Sequence, residues 1–206
     1  MKKVFLLLAL ACTIVACSDE KKSDKSGSDQ TATNAKSASV YKIGDYYNEN
    51  GKKGVVFEVS DGGRHGKIVS LHPSDKPLQW CTDRQYDRKI WVKASSESDG
   101  KMNTVMVMNR EDSDQYPAFV WCSNQGPDWY LPAKDELETI YNNKAAINPT
   151  LGKYGVSIKD EFKNCDCYWT STEDHDDHVL WLYMDICEFF GSFKNEYAYV
   201  RAVATF

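Results

Sequence analysis

Three stretches of different polarity follow one another along the chain. An uncharged, mostly apolar run at residues 4–16 comes directly after Lys2 and Lys3. Residues 18–40 are mainly Ser, Lys, Asp, Thr and Ala, and such a segment buries too little apolar surface to offset the entropy of ordering it. Helix and strand periods then follow over residues 41–206, which predicts one globular domain after a flexible linker.

Strand patterns lie at both ends of the predicted domain. Two runs rich in β-branched residues within residues 55–71 flank Asp61, Gly62 and Gly63, residue types that accept the positive φ of a tight turn, so they predict a hairpin. Further strands are predicted at residues 168–172, 179–184 and 197–206. The run at 179–184 is apolar on both alternating faces, which predicts a strand inside a sheet.

The clearest helix pattern begins at Pro132. Ala133, Leu137, Ile140 and Tyr141 fall on one face of a 3.6-residue period, which predicts that this face packs on the core. Two further helix starts are predicted, at Asn103 or Thr104 and at Tyr116-Pro117. Strands at both ends with helices between them favour an α+β fold: a single domain with a mixed, mostly antiparallel sheet and two or three helices.

The leader has a basic start, an apolar middle and small residues at its end, which is typical of a signal peptide. It is too short for a membrane-spanning helix, which needs roughly 20 apolar residues. Ile14-Val15-Ala16-Cys17 resembles the bacterial lipobox, whose cysteine is acylated, although ordinary cleavage near Ala16 would also fit. We therefore predict a lipoprotein signal peptide at residues 1–16 and a lipidated Cys17 with a linker at residues 17–40.

Charge and linker composition bear on partners and location. The full chain has 25 basic and 30 acidic residues, and removing Lys2 and Lys3 with the leader leaves 23 against 30, a net charge of −7. This balance, with no basic patch, argues against nucleic acid as a partner. Ser18-Asp19-Glu20 resembles an acidic tag that sends some lipoproteins to the outer face, although a plain solvated linker also explains it. We expect an exported protein that contacts the membrane through its lipid, anchored in the outer membrane and exposed at the surface.

Five cysteines of the predicted domain would lie in a compartment where disulfides persist. Because five is an odd number, at most two bridges form within the chain, and the sequence leaves their pairing open. The disulfide candidates are Cys81, Cys122, Cys165, Cys167 and Cys187.

Several blocks occur in the order of a known domain family: IGDYY, KGVVFEV, HGKIVSL, DGKMNT, YPAFVWC, DWYLPAKDELETIY, YWTSTE and YVRAVATF. Over nearly all of residues 41–206 they resemble the C-terminal domain of a Legionella collagen-like adhesin (the Lcl-type family), which includes many surface lipoproteins of unknown function. The block at residues 129–132 with its acidic helix is also similar to the C-type-lectin-like and formylglycine-generating-enzyme folds. That resemblance implies that the two chain ends pair in one sheet and that loops on one side bind ligands. Two features differ from the family. Ala204, near Arg201, stands where the family often has a second arginine. The adhesin's binding of sulfated polysaccharide would also need positive charge, whereas this chain is acidic.

The turn predicted between the strands at 168–172 and 179–184 concentrates charge. Residues 173–178 have the sequence EDHDDH and follow Cys165 and Cys167. These side chains are of the types that bind zinc or, through oxygens alone, calcium. The spacings C-x-C and H-x-x-H fit structural zinc sites poorly, and a charged turn is ordinary between strands. We predict a solvated hairpin tip at the edge of a binding face, with no metal and no cofactor. The candidate ligand-face residues are Trp169, Glu173, Asp174, Asp176 and Asp177.

Sequence motifs of common catalytic sites, such as a Walker loop, HExxH or GxSxG, do not occur. Trp121, Trp129 and Trp181 are most simply explained as core residues. We therefore expect a noncatalytic binding or adhesion module of the cell envelope, with an extracellular glycan or protein as partner by family analogy. One alternative is an enzyme of the formylglycine-generating type, which would need a reactive cysteine pair or a metal site. The other is a structural envelope protein without a small ligand.

Overall fold

The computed structural model describes residues 39–158 and 167–206. Its strands are β1 (Tyr46–Glu49), β2 (Lys52–Ser60), β3 (His65–Ser70), β4 (Leu78–Gln79), β5 (Trp129–Tyr130), β6 (Cys167–Glu173), β7 (His178–Tyr183), β8 (Glu188–Phe193), β9 (Tyr197–Ala198) and β10 (Val203–Thr205). Its helices are α1 (Asp83–Tyr86), α2 (Gly100–Met108), α3 (Pro117–Ser123), α4 (Lys134–Asn142) and α5 (Lys144–Leu151). The predicted α+β class is confirmed.

The described residues contain five α-helices where two or three were predicted. One of the additional helices, α1, has only four residues and is capped by Thr82, whose side chain accepts a hydrogen bond from the Gln85 amide. The other, α5, contains Pro149, which removes one backbone hydrogen bond. Because of this proline, the sequence did not predict a helix there. Burial of Ile147 and Leu151 holds this short helix on the core despite the proline.

A five-stranded sheet has the order β1-β2-β3-β10-β5, with every neighbouring pair antiparallel. The predicted hairpin over residues 55–71 is confirmed as the β2–β3 pair, and its turn is Asp61–Gly63, all at positive φ. The C-terminal strand β10 lies in the same sheet as the N-terminal strands, as the resemblance implied.

The strand predicted over residues 197–206 is two short strands, β9 and β10, because the segment changes partners along its length. Ala198 pairs with β4, the backbone of Tyr199 bonds to both Cys167 and Trp169, and the carbonyl of Ala202 accepts from the amide of Ser70. The segment therefore joins the five-stranded sheet, the β4–β9 pair and a three-stranded antiparallel sheet of order β6-β7-β8.

Two clusters of buried apolar residues form the core. One centres on Trp80, Phe119 and Trp169, and the other packs Leu137 and Ile140 of α4 against the five-stranded sheet. The predicted inner face of α4 is therefore confirmed, as is the start of α3 at Pro117.

The predicted cap of α2 was wrong. The helix begins at Gly100, because the side chain of Asp99 accepts a hydrogen bond from the Met102 amide at 2.8 Å. Asn103 and Thr104 lie buried within the helix and bond to neighbouring segments. Of the tryptophans predicted as core, Trp129 is buried, while Trp121 and Trp181 are partly buried.

Candidate functional site

The acidic turn lies at the tip of the β6–β7 hairpin. The two strands pair antiparallel, and the amides of Asp174 and His175 donate to the carbonyl of His178 at 3.1 and 3.2 Å, which closes the turn. Asp174, His175 and Asp176 are exposed, while Asp177 and His178 are partly buried. The predicted hairpin with a solvated tip is confirmed at these residues.

Glu173, the first residue of the predicted cluster, does not face solvent, and this corrects its assignment to a ligand face. The residue is 2% exposed. Its carboxylate accepts hydrogen bonds from the amides of Val92 and Ala94, both at 3.0 Å, and forms an ion pair with Lys194 Nζ at 2.5 Å. Three donors therefore occupy the carboxylate, so Glu173 ties the segment before α2 to the hairpin.

Trp169 is also a structural residue and not a ligand-face residue. Its ring is fully buried, and its indole Nε1 donates to the carbonyl of Leu78 at 2.7 Å. The ring stacks on Trp181 of β7, with centroids 5.3 Å apart, and Trp181 is in turn paired with Phe190 of β8. Because Trp169 is enclosed in the core, this row of aromatic residues anchors the three-stranded sheet there.

Asp174, one of the exposed candidates, lies beside Gly191 on β8. A Cβ built on Gly191 would lie 3.8 Å from Asp174 Oδ2 and 3.8 Å from His178 Cδ2, so the strand backbone forms a floor between these groups. Phe193 packs against the His178 ring with centroids 4.5 Å apart and is 44% exposed. We call Asp174, Asp177, His178, Gly191 and Phe193 the Gly191 surface.

Charged neighbours hold the edge of the Gly191 surface in place. Asp177 contacts His178 Nδ1 at 2.6 Å and Lys89 Nζ at 3.2 Å. The hydrogen bond from His178, together with Lys89, holds the pKa of Asp177 below its usual value. Lys89 also lies 3.8 Å from the centre of the Tyr86 ring, and Tyr86 contacts Phe193 edge to face. The surface thus combines a carboxylate, which accepts hydrogen bonds from hydroxyl groups, with an aromatic ring, which packs against an apolar ring face.

Phe193 and Gly191 were missed in the sequence. Their signal is the segment Phe189-Phe190-Gly191-Ser192-Phe193, in which a glycine interrupts the aromatic residues of a strand. Asp174, Asp176 and Asp177 remain candidates, since the structure leaves each of them at least partly accessible.

The cysteines are buried to different degrees. Cys81, Cys122 and Cys187 are free thiols, so bridges among these three residues have no support in the structure, and Cys17 and Cys165 lie outside the described residues. Burial raises the pKa of the Cys81 thiol to about 12 and also raises the pKa values of Cys122 and Cys187. These thiols therefore stay protonated near neutral pH.

The described residues also bear on metal binding and on membrane insertion. Within residues 39–158 and 167–206, His, Cys, Asp and Glu side chains do not gather in groups of three or more that could hold a metal ion. None of the helices described in the same ranges is long and apolar enough to cross a membrane.

Comparison with known proteins adds a fold neighbour. No protein-family model matches the chain, and no curated protein matches it. Among solved structures, the chain is similar to a fimbrial protein from Bacteroides ovatus ATCC 8483, with a TM-score of 0.53 and 15% sequence identity over 81% of this chain and 49% of the other. The chain thus spans about half the length of that protein, and a likeness at this identity shows a shared fold alone.

Proposed function

We propose that this chain is a noncatalytic binding module of a bacterial cell envelope, anchored by lipid on Cys17 and exposed at the outer-membrane surface. The leader and the lipobox-like residues before Cys17 support the anchor. The protein of similar fold is a fimbrial protein, which is consistent with a module at the cell surface.

The Gly191 surface is the observation that carries the binding function. Phe193 keeps 44% of its surface exposed, although full burial of such a side chain stabilises a fold by roughly 1.5–3 kcal/mol. Its ring contacts the rings of His178 and Tyr86, with centroids 4.5 and 5.9 Å away, and these contacts restrict its orientation. An aromatic side chain that is already ordered before binding loses less conformational entropy when the ligand binds.

The chemistry of this surface favours a neutral extracellular glycan. A pyranose presents an apolar C–H face that suits the Phe193 ring, and its hydroxyl groups are donors for the carboxylate of Asp174. Gly191, which has no side chain to obstruct a ligand, lies beside Asp174. Because Asp174 and Asp176 are exposed carboxylates, the same surface disfavours sulfated or other polyanionic glycans.

A glycan array probed with the full-length protein in detergent tests this proposal. The expected result is binding to a set of neutral glycans, with affinity reduced about tenfold in Phe193→Ala, which corresponds to about 1.4 kcal/mol. Tyr46→Ala is the matched control, since Tyr46 is also a partly exposed strand aromatic but lies on β1. Equal losses in both variants, or no bound glycan, would contradict the proposal, and the second result would favour a structural envelope protein.

Three of the described cysteines do not favour the enzyme alternative. A cysteine-dependent oxidase of the formylglycine-generating type requires a thiol that ionises readily. Burial instead raises the pKa of Cys81, Cys122 and Cys187. A binding role therefore accounts better for the groups that the structure exposes.

A further inference from the structure

Arg201 is a buried cation in the segment between β9 and β10. Its side chain is 1% exposed. Nη1 donates to the carbonyl of Ser70 at 2.9 Å, and Nη2 donates to the carbonyl of Ser157 at 3.2 Å. Nε is buried and has no hydrogen-bond partner in the described part of the chain. One strong donor of the guanidinium group is thus left without an acceptor.

The guanidinium group of Arg201 also interacts with the side chain of Tyr168. In residues 39–158 and 167–206, no carboxylate forms an ion pair with it, whereas Lys194, the other buried cation considered above, is paired with Glu173. Burial lowers the pKa of Arg201 from its usual value, because the charged form loses its hydration. A buried charge that no described carboxylate balances is unfavourable, so an anion placed beside it would be favoured.

A cavity of about 340 Å³ opens beside this side chain. Its lining includes His72, Ser157, Tyr168, Tyr199 and Arg201, with Asp75 among the exposed residues around it. The rings of Tyr168 and Tyr199 have centroids 6.0 Å apart and planes inclined by 37°. The volume lies in the lower part of the range for small-molecule sites, roughly 300–1,000 Å³.

We propose that this cavity binds a small organic carboxylate, whose oxygen accepts the unused hydrogen bond of Arg201 Nε. A monoanion fits better than a phosphate or sulfate dianion, since one cation lines the cavity and Asp75 adds negative charge. The tyrosine rings supply apolar contacts for the body of the ligand, which favours an acid that carries a ring. This site is separate from the Gly191 surface and does not depend on glycan binding.

Saturation-transfer NMR on the full-length protein tests the site with benzoate as the probe and benzamide as its neutral isostere. Benzoate should bind saturably, and benzamide at least about tenfold more weakly, because hydrogen bonds to a charged acceptor are the stronger ones. Arg201→Met should abolish benzoate binding. Phe193→Ala should retain it, which separates this site from the proposed glycan site.

A second variant covers the case in which Arg201→Met fails to fold. Ser157→Trp places a large side chain at an exposed position of the cavity lining and keeps the backbone carbonyl that Arg201 Nη2 uses. It should fold normally and lose benzoate binding. Absence of saturable benzoate binding to the unaltered protein, equal binding of benzamide, or undiminished binding in folded Ser157→Trp would each overturn the proposal.

Discussion

Neighbouring residues of the acidic turn have opposite roles because their side chains meet different surroundings. Glu173 is enclosed by two backbone amides and Lys194 Nζ, so its charge holds the fold together. Asp174, the next residue, is exposed and borders Gly191. Burial, and not residue type, therefore decides which carboxylate is available to a ligand.

Lys194→Met should lower the free energy of unfolding by about 3–5 kcal/mol, because it leaves the buried Glu173 carboxylate without its cation. Urea unfolding followed by tryptophan fluorescence measures the change. The double variant Glu173→Gln/Lys194→Met should recover part of the loss, since it removes the unpaired charge.

Lys89→Met is the matched control for this ion pair. Lys89 pairs with Asp177 at the surface of the same hairpin, and exposed pairs of this kind contribute little to stability because solvent screens them. Similar losses in Lys89→Met and Lys194→Met would show that the Glu173–Lys194 pair has no special role in stability.

At the scale of secondary-structure elements, the β2–β3 hairpin depends on its glycine turn. Gly63 has φ +91°, and a Cβ at this position would lie 2.2 Å from the carbonyl oxygen of Tyr41. Gly62 has φ +64°, but nothing lies within 4 Å of its Cβ position. Both need a left-handed backbone, whereas only Gly63 also needs the space that a side chain would fill.

Gly63→Ala should lower stability by about 3 kcal/mol, at the upper end of the cost of a strained backbone residue. Gly62→Ala should lower it by only about 1 kcal/mol, since it adds strain without a clash. Thermal unfolding of the two variants side by side checks this order. If Gly62→Ala is the more damaging change, the close approach of residue 41 to the turn is wrong.

At the scale of the whole molecule, residues 197–205 contact all three sheets, so the C-terminal segment closes the fold. Arg201 lies in the middle of this segment and bonds to carbonyls on either side. The cavity beside Arg201 is therefore built from segments far apart in sequence.

Thiol counting on denatured protein from its native envelope tests the state of the cysteines in the whole molecule. The structure shows Cys81, Cys122 and Cys187 as thiols, so at least three reactive thiols are expected. Fewer than three would mean that at least one of them is bridged, as the exported location predicted. Counting the same sample after reduction gives the total for comparison.

Cys17→Ser should abolish lipid attachment, because the hydroxyl of serine cannot form the thioether on which the lipobox-like sequence depends. Metabolic labelling with a fatty-acid analogue measures attachment, and Cys12→Ser, which changes a cysteine inside the leader, is the control. Equal labelling of Cys17→Ser and the unaltered protein would refute the anchor.

Local patterns in the sequence determined the elements whose signal lies within a few residues. The glycine turn predicted the β2–β3 hairpin, the apolar period predicted the buried face of α4, and the charged turn predicted the β6–β7 hairpin. These features depend on backbone preferences and on hydrophobic period, which each segment carries by itself.

Only the tertiary structure decided which side chains face a ligand. Trp169 and Glu173 were predicted at a binding face, but Leu78, Val92 and Lys194 reach them from distant segments and bury them. Phe193 stays exposed on β8, which in the described part of the chain is an edge strand of the three-stranded sheet. The exposure of a side chain depends on what packs opposite it, and that partner comes from elsewhere in the chain.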